Sequence, residues 1–236
     1  MPHGAPRELR QAPRDARRRE ARVQEQVILL HGLWMRSLVL WPLAGRLRAA
    51  GFDVTMFDYA SVALGTEGAV QRLRRHLAGA AEGAVIHLVG HSLGGLVALE
   101  AARGGDAMAP GRIVCLGSPL CGSASARDLA FLPGGRGLLG RSADLLATGV
   151  AAWDGSRPVG VIAGTLPFGF GRALGRLPTP HDGTVAVEET RLQGISDHHL
   201  VPASHTGLLL SQDTVSLTVA FLRHGRFAAA QPRDPA

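Results

Sequence analysis

Five consecutive residues in the middle of the chain have the types needed to present a nucleophile. The pentapeptide Gly90-His91-Ser92-Leu93-Gly94 follows the apolar run 85–89 and precedes a helical pattern over residues 93–103. A serine hydroxyl held on a sharp strand-to-helix turn needs small neighbours, and glycine on both sides provides that space. The start of the helix also directs N–H groups at the charge that develops in acyl transfer. We therefore predict Ser92 as a nucleophile; the alternative is a chance turn in a chain with 31 glycines.

A serine nucleophile needs a general base, and five histidines follow Ser92 in the chain. We favour His205 because it lies at the turn between the last predicted strand and the closing helix, at the carboxyl edge of the sheet. His198 and His199 lie within or just before that strand and are alternatively simple strand-edge residues. His224 comes after the closing helix.

The orienting acid is expected between the serine and the histidine in the chain. Asp182 lies in a turn over residues 179–185, downstream of the predicted strand over 159–163, and we assign it this role. Its alternative is an ordinary surface turn, since Asp-Gly pairs are common there. Asp197 is the competing acid because it precedes the final strand closely. Four other aspartates enter the chain too early, at positions 106, 128, 144 and 154.

An oxyanion hole requires two backbone N–H donors. We expect one from Leu93, the residue after the nucleophile, and the other from Leu33, in the loop that follows the first apolar strand. Trp34 and Met35 would then contact the acyl group of the substrate. Ordinary apolar packing remains the alternative for these two side chains.

Strands and helices alternate along the body of the chain. Apolar runs predict strands at 27–30, 52–59, 85–89, 112–116 and 159–163, with a weaker one at 198–203. Amphipathic patterns predict helices at 41–50, 70–77, 93–103 and 208–222. This order predicts an α/β fold with a doubly wound, mostly parallel sheet and helices on both faces. One domain spans residues 23–227, between an Arg-rich disordered leader at 1–22 and a short disordered tail at 228–236.

Composition excludes several classes of protein. With 46% hydrophobic residues and a mean hydropathy of +0.12, the body can bury a sizeable core, yet no apolar run is long enough to span a membrane. Two cysteines outside any metal-binding spacing predict no metal site and a reducing, cytoplasmic setting. The net charge of +6 comes from arginine alone, because the chain has no lysine. We interpret the leader as a solvated tail without nucleic-acid binding but with a weak attraction to anionic membranes.

The combined motifs resemble the α/β-hydrolase superfamily, and within it the small bacterial serine lipases and esterases related to GPI inositol-deacylase-like hydrolases. The resemblance rests on His31-Gly32, the pentapeptide around Ser92, the Asp182-Gly183 turn and the late His205. It also includes residues 117–123, which are similar to a stretch that follows the next strand in those lipases. The resemblance implies Ser92 as nucleophile, Asp182 as acid and His205 as base. Many secreted relatives carry calcium and a long lid, but here residues 120–158 predict only a reduced lid.

The reaction that follows from these assignments is ester hydrolysis through an acyl-enzyme, without cofactor or metal, on a small-molecule ester or lipid. A short-chain ester is favoured over a triacylglycerol. Two alternatives stay open. The same three residues would serve a thioesterase or an acyltransferase, and a protein of this fold can also be a non-catalytic binding module. The oligomeric state is left open.

Overall fold

A computed structural model describes residues 25–63, 65–103, 109–155, 157–168 and 177–227. The predicted leader at 1–22 and the predicted tail at 228–236 lie outside the described residues. Within them, no helix combines the length and the apolar composition that crossing a membrane requires.

Six parallel strands form one sheet in the order β2-β1-β3-β4-β5-β6. Their bounds are Glu25–Leu30 (β1), Asp53–Phe57 (β2), Val85–His91 (β3), Ile113–Leu116 (β4), Val159–Gly164 (β5) and Asp197–Val201 (β6). The four central strands carry almost continuous buried residues, as expected of a parallel sheet covered on both faces. The strand order starts at β1, runs outward to β2 and then returns past β1 to β3. This topology confirms the predicted doubly wound parallel sheet.

Helices cover both faces of the sheet. The longer ones are Trp41–Ala49 (α1), Gly65–Ala78 (α2), Leu93–Ala102 (α3) and, at the carboxyl end, Gln212–His224 (α7). One apolar cluster packs α2 and α3 against the sheet, and a second cluster packs α1 and α7 against its other face. Because the strands are parallel, the loops at their carboxyl ends lie together at one edge of the sheet, and the two helix layers cover its faces.

Several predicted elements differ from their sequence patterns at their ends. The predicted helix over 70–77 begins five residues earlier, at Gly65, and the predicted strand over 198–203 ends at Val201. The predicted strand over 52–59 ends at Phe57, because Asp58 and Tyr59 turn to bind the loop after β1. The predicted helix over 208–222 divides into a 3₁₀ turn, Gly207–Leu209, and α7. The break falls at Ser211, whose hydroxyl accepts a hydrogen bond from the Thr214 amide and so caps α7.

Between β4 and β5 the chain forms three short helices, which we call the cap segment, residues 123–148. They are Ala124–Phe131 (α4), Gly135–Leu139 (α5) and Ala143–Thr148 (α6). Gly140 and Gly149 end α5 and α6 with positive φ values of 58° and 74°, a backbone conformation that glycine adopts without a steric penalty. The sequence predicts a reduced lid in this region, and the pattern did not reveal these helices because each is too short to show a period.

Candidate active site

Ser92 lies on a tight turn between β3 and α3. Its backbone has φ 55° and ψ −123°, in a region that residues other than glycine rarely adopt. Its amide donates to the Leu116 carbonyl of β4 at 2.9 Å. A Cβ at Gly90 would lie 2.4 Å from the backbone of Gly94, and one at Gly94 would lie 2.4 Å from the Leu30 carbonyl oxygen. The turn therefore has the geometry expected of an exposed nucleophile on a strand-to-helix elbow.

The loop after β1 lies directly against Ser92. A Cβ at Gly32 would stand 3.1 Å from the Ser92 Cβ and 3.4 Å from the Met35 sulfur. The loop hydrogen bonds of the described chain do not use the Leu33 amide. Trp34 follows with a φ of 58°. The predicted donor Leu33 thus belongs to the segment that lies against Ser92, and the predicted donor Leu93 is the first residue of α3.

Residues at the end of β2 hold this loop in place. The buried ring of His31 stacks on Tyr59 with 4.3 Å between ring centroids, and the Tyr59 hydroxyl donates to the His31 carbonyl at 2.6 Å. The Asp58 carboxylate accepts from the Ser37 amide at 3.1 Å and pairs with Arg36 at 2.7 Å. These contacts lower the pKa of Asp58, the Ser37 hydrogen bond contributing most. The sequence did not assign any role to Asp58 or Tyr59.

Asp182 and His205 meet, although 23 positions separate them in the chain. The His205 Nδ1–H donates to the Asp182 Oδ2 at 2.7 Å, and the His205 amide donates to the Asp182 carbonyl at 2.9 Å. The other carboxylate oxygen accepts from the amides of Thr184 and Val185 at 2.9 and 2.7 Å. Asp182 is 1% exposed and His205 8%. With Nδ1 bonded to the carboxylate, Nε2 of the neutral ring is left as the acceptor.

Two further residues pack around this pair. Gly117, which follows β4 with a φ of 54°, approaches so closely that a Cβ there would lie 3.0 Å from the Asp182 Oδ2 and 3.2 Å from the His205 Nδ1. The His91 Nε2–H donates to the His205 carbonyl at 3.0 Å, and the two rings lie 4.7 Å apart. Burial lowers the pKa of His91 to about 3, so its ring stays neutral beside His205. Because His91 immediately precedes Ser92, this contact joins the Ser92 turn to His205.

The competing residues near β6 have other contacts. Asp197 accepts hydrogen bonds from the amides of His198 and Phe227, at 2.8 and 2.7 Å. The His198 Nε2 bonds to the Thr190 hydroxyl at 2.8 Å, and burial lowers its pKa to about 4. The His199 ring packs on Phe227. These residues fasten the sheet edge, and each of the three has a structural contact that accounts for it.

Exposed apolar side chains concentrate on the loops after β1, β4 and β5. Trp34 is 60% exposed, and its indole N–H donates to the Leu138 carbonyl of α5 at 2.8 Å. Met35 is half-buried against Gly32. Eight of the ten large exposed apolar side chains in the described chain belong to the loops and short helices that follow these three strands or to the first residue of α1: Trp34, Leu38, Trp41, Phe131, Leu132, Leu138, Leu166 and Phe168. The segments that follow these strands therefore carry most of the large exposed apolar side chains of the described residues.

Comparison with known proteins agrees with this geometry. The chain is similar to the Bacillus licheniformis lipase BlEst2 in its propeptide form, with 18% identity and a TM-score of 0.68 over 91% of this chain and 53% of that one. It is similar to the metagenomic carboxyl esterase MGS0156, at 16% identity and a TM-score of 0.61 over 78% and 65%. It is also similar to polyneuridine aldehyde esterase, at 14% identity and a TM-score of 0.57 over 85% and 99%.

These identities establish the fold alone, and the chain spans just over half the length of the lipase and under two thirds of the metagenomic esterase. A search of curated proteins found no match. The sequence model of one family, described as the alpha/beta hydrolase family, matches residues 27–234, which is nearly the whole body of the chain. With that match, a parallel six-stranded sheet and a serine turn at the end of β3, this chain belongs to the alpha/beta hydrolase family.

Proposed function

We propose that the chain is a serine hydrolase of carboxylic esters, with Ser92 as nucleophile, His205 as base and Asp182 as orienting acid. The observation that carries the proposal is the buried 2.7 Å hydrogen bond between Asp182 and His205, at the same edge of the sheet as the Ser92 turn. A buried carboxylate and imidazole in this arrangement stabilise the imidazolium that forms when a serine is deprotonated.

The proposed reaction has two steps. His205 Nε2 takes the Ser92 proton as the Ser92 oxygen attacks the ester carbonyl, and the amides of Leu33 and Leu93 hold the resulting oxyanion. His205 then returns the proton to the leaving alcohol, which leaves an acyl-serine. Water, activated by the same imidazole, releases the acid and regenerates Ser92. Asp182 keeps the imidazole in the tautomer that leaves Nε2 free to accept.

The exposed apolar side chains on the segments after β1, β4 and β5 support an ester with an apolar acyl group as substrate. Trp34 and Met35 lie in the loop that touches Ser92, and we propose that they contact that acyl group. The motif at 117–123 supports a relationship to the small bacterial lipases and esterases related to GPI inositol-deacylase-like hydrolases. A weak contact of the Arg-rich leader with anionic membranes is part of the same proposal, through its seven arginines between positions 7 and 22.

A fluorophosphonate probe tests the nucleophile, because such a probe reacts with an activated serine. We expect labelling of the wild type at Ser92 and hydrolysis of p-nitrophenyl esters, graded by chain length to define the acyl preference. Ser92→Ala should keep its fold and melting temperature but lose both signals, with a rate decrease on the order of 10⁶. Ser216→Ala is the matched control, an exposed serine within α7.

Ester turnover that is unchanged in Ser92→Ala would refute the proposal. Wild-type labelling together with turnover of thioesters, or transfer to an added alcohol in preference to water, would keep Ser92 but move the activity to a thioesterase or an acyltransferase.

A further inference from the structure

Glu189 is a half-buried carboxylate that the proposed reaction does not use. It lies on the 3₁₀ turn Glu188–Thr190, a few residues after Asp182. Its Oε2 accepts from the Ala186 amide at 2.9 Å, and its Oε1 accepts from the Ala124 amide at 2.5 Å. Ala186 belongs to the turn that carries Asp182, and Ala124 is the first residue of α4. One carboxylate therefore bridges the acid turn and the start of the cap segment.

The bridge is more than a helix cap. The helix α4 already has its own cap, because the Ser123 hydroxyl accepts from the Ala126 amide at 3.2 Å. A second bond joins the same two elements, since the Ser125 hydroxyl donates to the Thr184 carbonyl at 3.0 Å. The two ties start on successive residues of α4 and end within the turn after Asp182, so α4 is fastened to this turn at two points.

The amides of three consecutive residues of the turn are divided between two carboxylates. Those of Thr184 and Val185 bind the Asp182 Oδ1, and that of Ala186 binds Glu189. An amide is part of a planar peptide unit, so a hydrogen bond to the amide also fixes the orientation of that peptide plane. The direction in which the Asp182 Oδ2 points toward His205 is set by this short run of backbone.

Glu189 has charged and titratable neighbours on every side that packs against it. Arg127 faces it from α4, Asp182 from the acid turn and Cys121 from the segment after β4. Burial raises the pKa of Glu189, while the hydrogen bonds from Ala124 and Ala186 and the charge of Arg127 oppose that increase. A buried carboxylate beside a second carboxylate is unfavourable by itself, so its two amide contacts must offset that penalty.

We infer that Glu189 is a positioning residue, which holds the Asp182 turn against α4 and thereby places the Asp182 Oδ2 within hydrogen-bonding distance of His205. The inference rests on the proposed function of Asp182 and His205. It adds a physical connection between the cap segment and the base, so that displacing α4 changes the geometry of the Asp182–His205 pair.

Glu189→Gln tests the inference, with Glu188→Gln as the matched control. The control removes the same charge from the neighbouring, exposed residue of the same 3₁₀ turn. With a p-nitrophenyl ester and the full chain, we expect kcat of Glu189→Gln to fall by about 10- to 100-fold, as for small misplacements of catalytic groups, with KM within about twofold. The control should stay within about twofold of the wild type in both constants.

The proton on His205 Nδ1 provides a readout that does not require turnover. In ¹H NMR of histidine-labelled protein, assigned by its loss in His205→Ala, this hydrogen-bonded proton should shift or broaden in Glu189→Gln and stay in place in Glu188→Gln. A wild-type kcat and an unmoved resonance in Glu189→Gln, or equal losses in the two variants, would overturn the inference.

If Glu189→Gln does not fold, Ser125→Ala replaces it, because it cuts the other tie between α4 and the turn. A smaller decrease in kcat together with a moved resonance supports the inference, and an unchanged enzyme contradicts it. A wild type that neither hydrolyses esters nor reacts with the fluorophosphonate probe would refute the proposed function, and the resonance would still decide the role of Glu189.

Discussion

The turn at Ser92 and the turn at Asp182 lie at the same edge of the sheet, but different interactions hold them in place. The turn at Ser92 is enforced by close backbone packing, since side chains at Gly90 and Gly94 would overlap with neighbouring main chain. The turn at Asp182 is enforced by hydrogen bonds, in which two carboxylates take up successive backbone amides. The packing at Ser92 excludes larger side chains at Gly90 and Gly94, whereas the turn at Asp182 depends on carboxylate oxygens that accept hydrogen bonds from its amides.

This difference predicts how each region fails. A larger side chain at Gly90 or Gly94 should act on stability, because the added atoms must displace backbone in the centre of the sheet. A substitution in the acid turn should act on rate, because the turn lies at the edge and its main effect is on the direction of one carboxylate.

The largest effect is expected at the residue that the acid turn orients. His205→Ala should reduce kcat/KM for a p-nitrophenyl ester nearly as much as loss of Ser92, on the order of 10⁵- to 10⁶-fold, because base and nucleophile act as a unit. His198→Ala and His199→Ala should retain most of the rate. Equal losses in His198→Ala and His205→Ala would show that the base has been assigned to the wrong histidine.

The acid should contribute less than the base. Asp182→Asn keeps the size of the side chain but removes the charge that stabilises the imidazolium, so we expect kcat/KM to fall by roughly 10²- to 10⁴-fold. Asp197→Asn should change the melting temperature more than the rate, since its contacts are to the amides of His198 and Phe227. A larger rate loss in Asp197→Asn than in Asp182→Asn would overturn the choice of acid.

A substitution of Gly90 in the turn at Ser92 should instead lower the stability of the fold. Gly90→Ala places a Cβ 2.4 Å from the Gly94 backbone, and we expect it to lower the free energy of unfolding by about 3 kcal/mol or more. Gly45→Ala is the control, because a Cβ there meets no atom within 4 Å and helix propensity should raise stability by up to about 1 kcal/mol. Urea unfolding measures both values. A neutral Gly90→Ala would show that the turn is not limited by packing.

The smallest effect concerns His91, which joins the Ser92 turn to His205. Burial holds the pKa of His91 at about 3, below its unfolded value near 6.5, so between these values the unfolded chain binds a proton that the folded chain does not. Stability from this site is therefore intact above about pH 6.5 and decreases as the pH falls, by about 1 kcal/mol per pH unit.

His91→Gln keeps a donor for the His205 carbonyl and removes the titration. The stability of this variant, measured by urea unfolding between pH 4.5 and pH 6.5, is expected to depend less on pH than that of the wild type. Parallel pH dependences in the two proteins would contradict the burial of a neutral His91.

The chain order of the elements could be predicted from sequence because it depends on local patterns. The apolar runs and amphipathic segments predicted all six strands and the four longer helices, with boundaries that differ by up to five residues, the most at the start of α2. The cap segment was predicted only as a reduced lid, because helices of five to eight residues show too little of a period. The motif around Ser92 was recognisable because the sharp turn requires glycine at positions 90 and 94.

The pairing of Asp182 with His205 was a prediction from chain order, and the 2.7 Å contact is consistent with it. No sequence pattern predicted the contacts of His91, Gly117 and Glu189. Each contacts a group that is distant along the chain, namely His205 for His91, the Asp182–His205 pair for Gly117 and the Ala124 amide for Glu189. The type of a residue does not reveal which distant group it will contact.

Local patterns in the sequence were enough to predict the order of strands and helices and the turn at Ser92, because periodicity and glycine sterics act over a few residues. Tertiary packing was needed to choose between Asp182 and Asp197 as the partner of His205, to bring the loop after β1 against Ser92 and to tie the cap segment to the Asp182 turn. Those outcomes depend on the packing of strands that are distant in sequence and on hydrogen bonds to main-chain groups, which every residue carries and no sequence pattern marks.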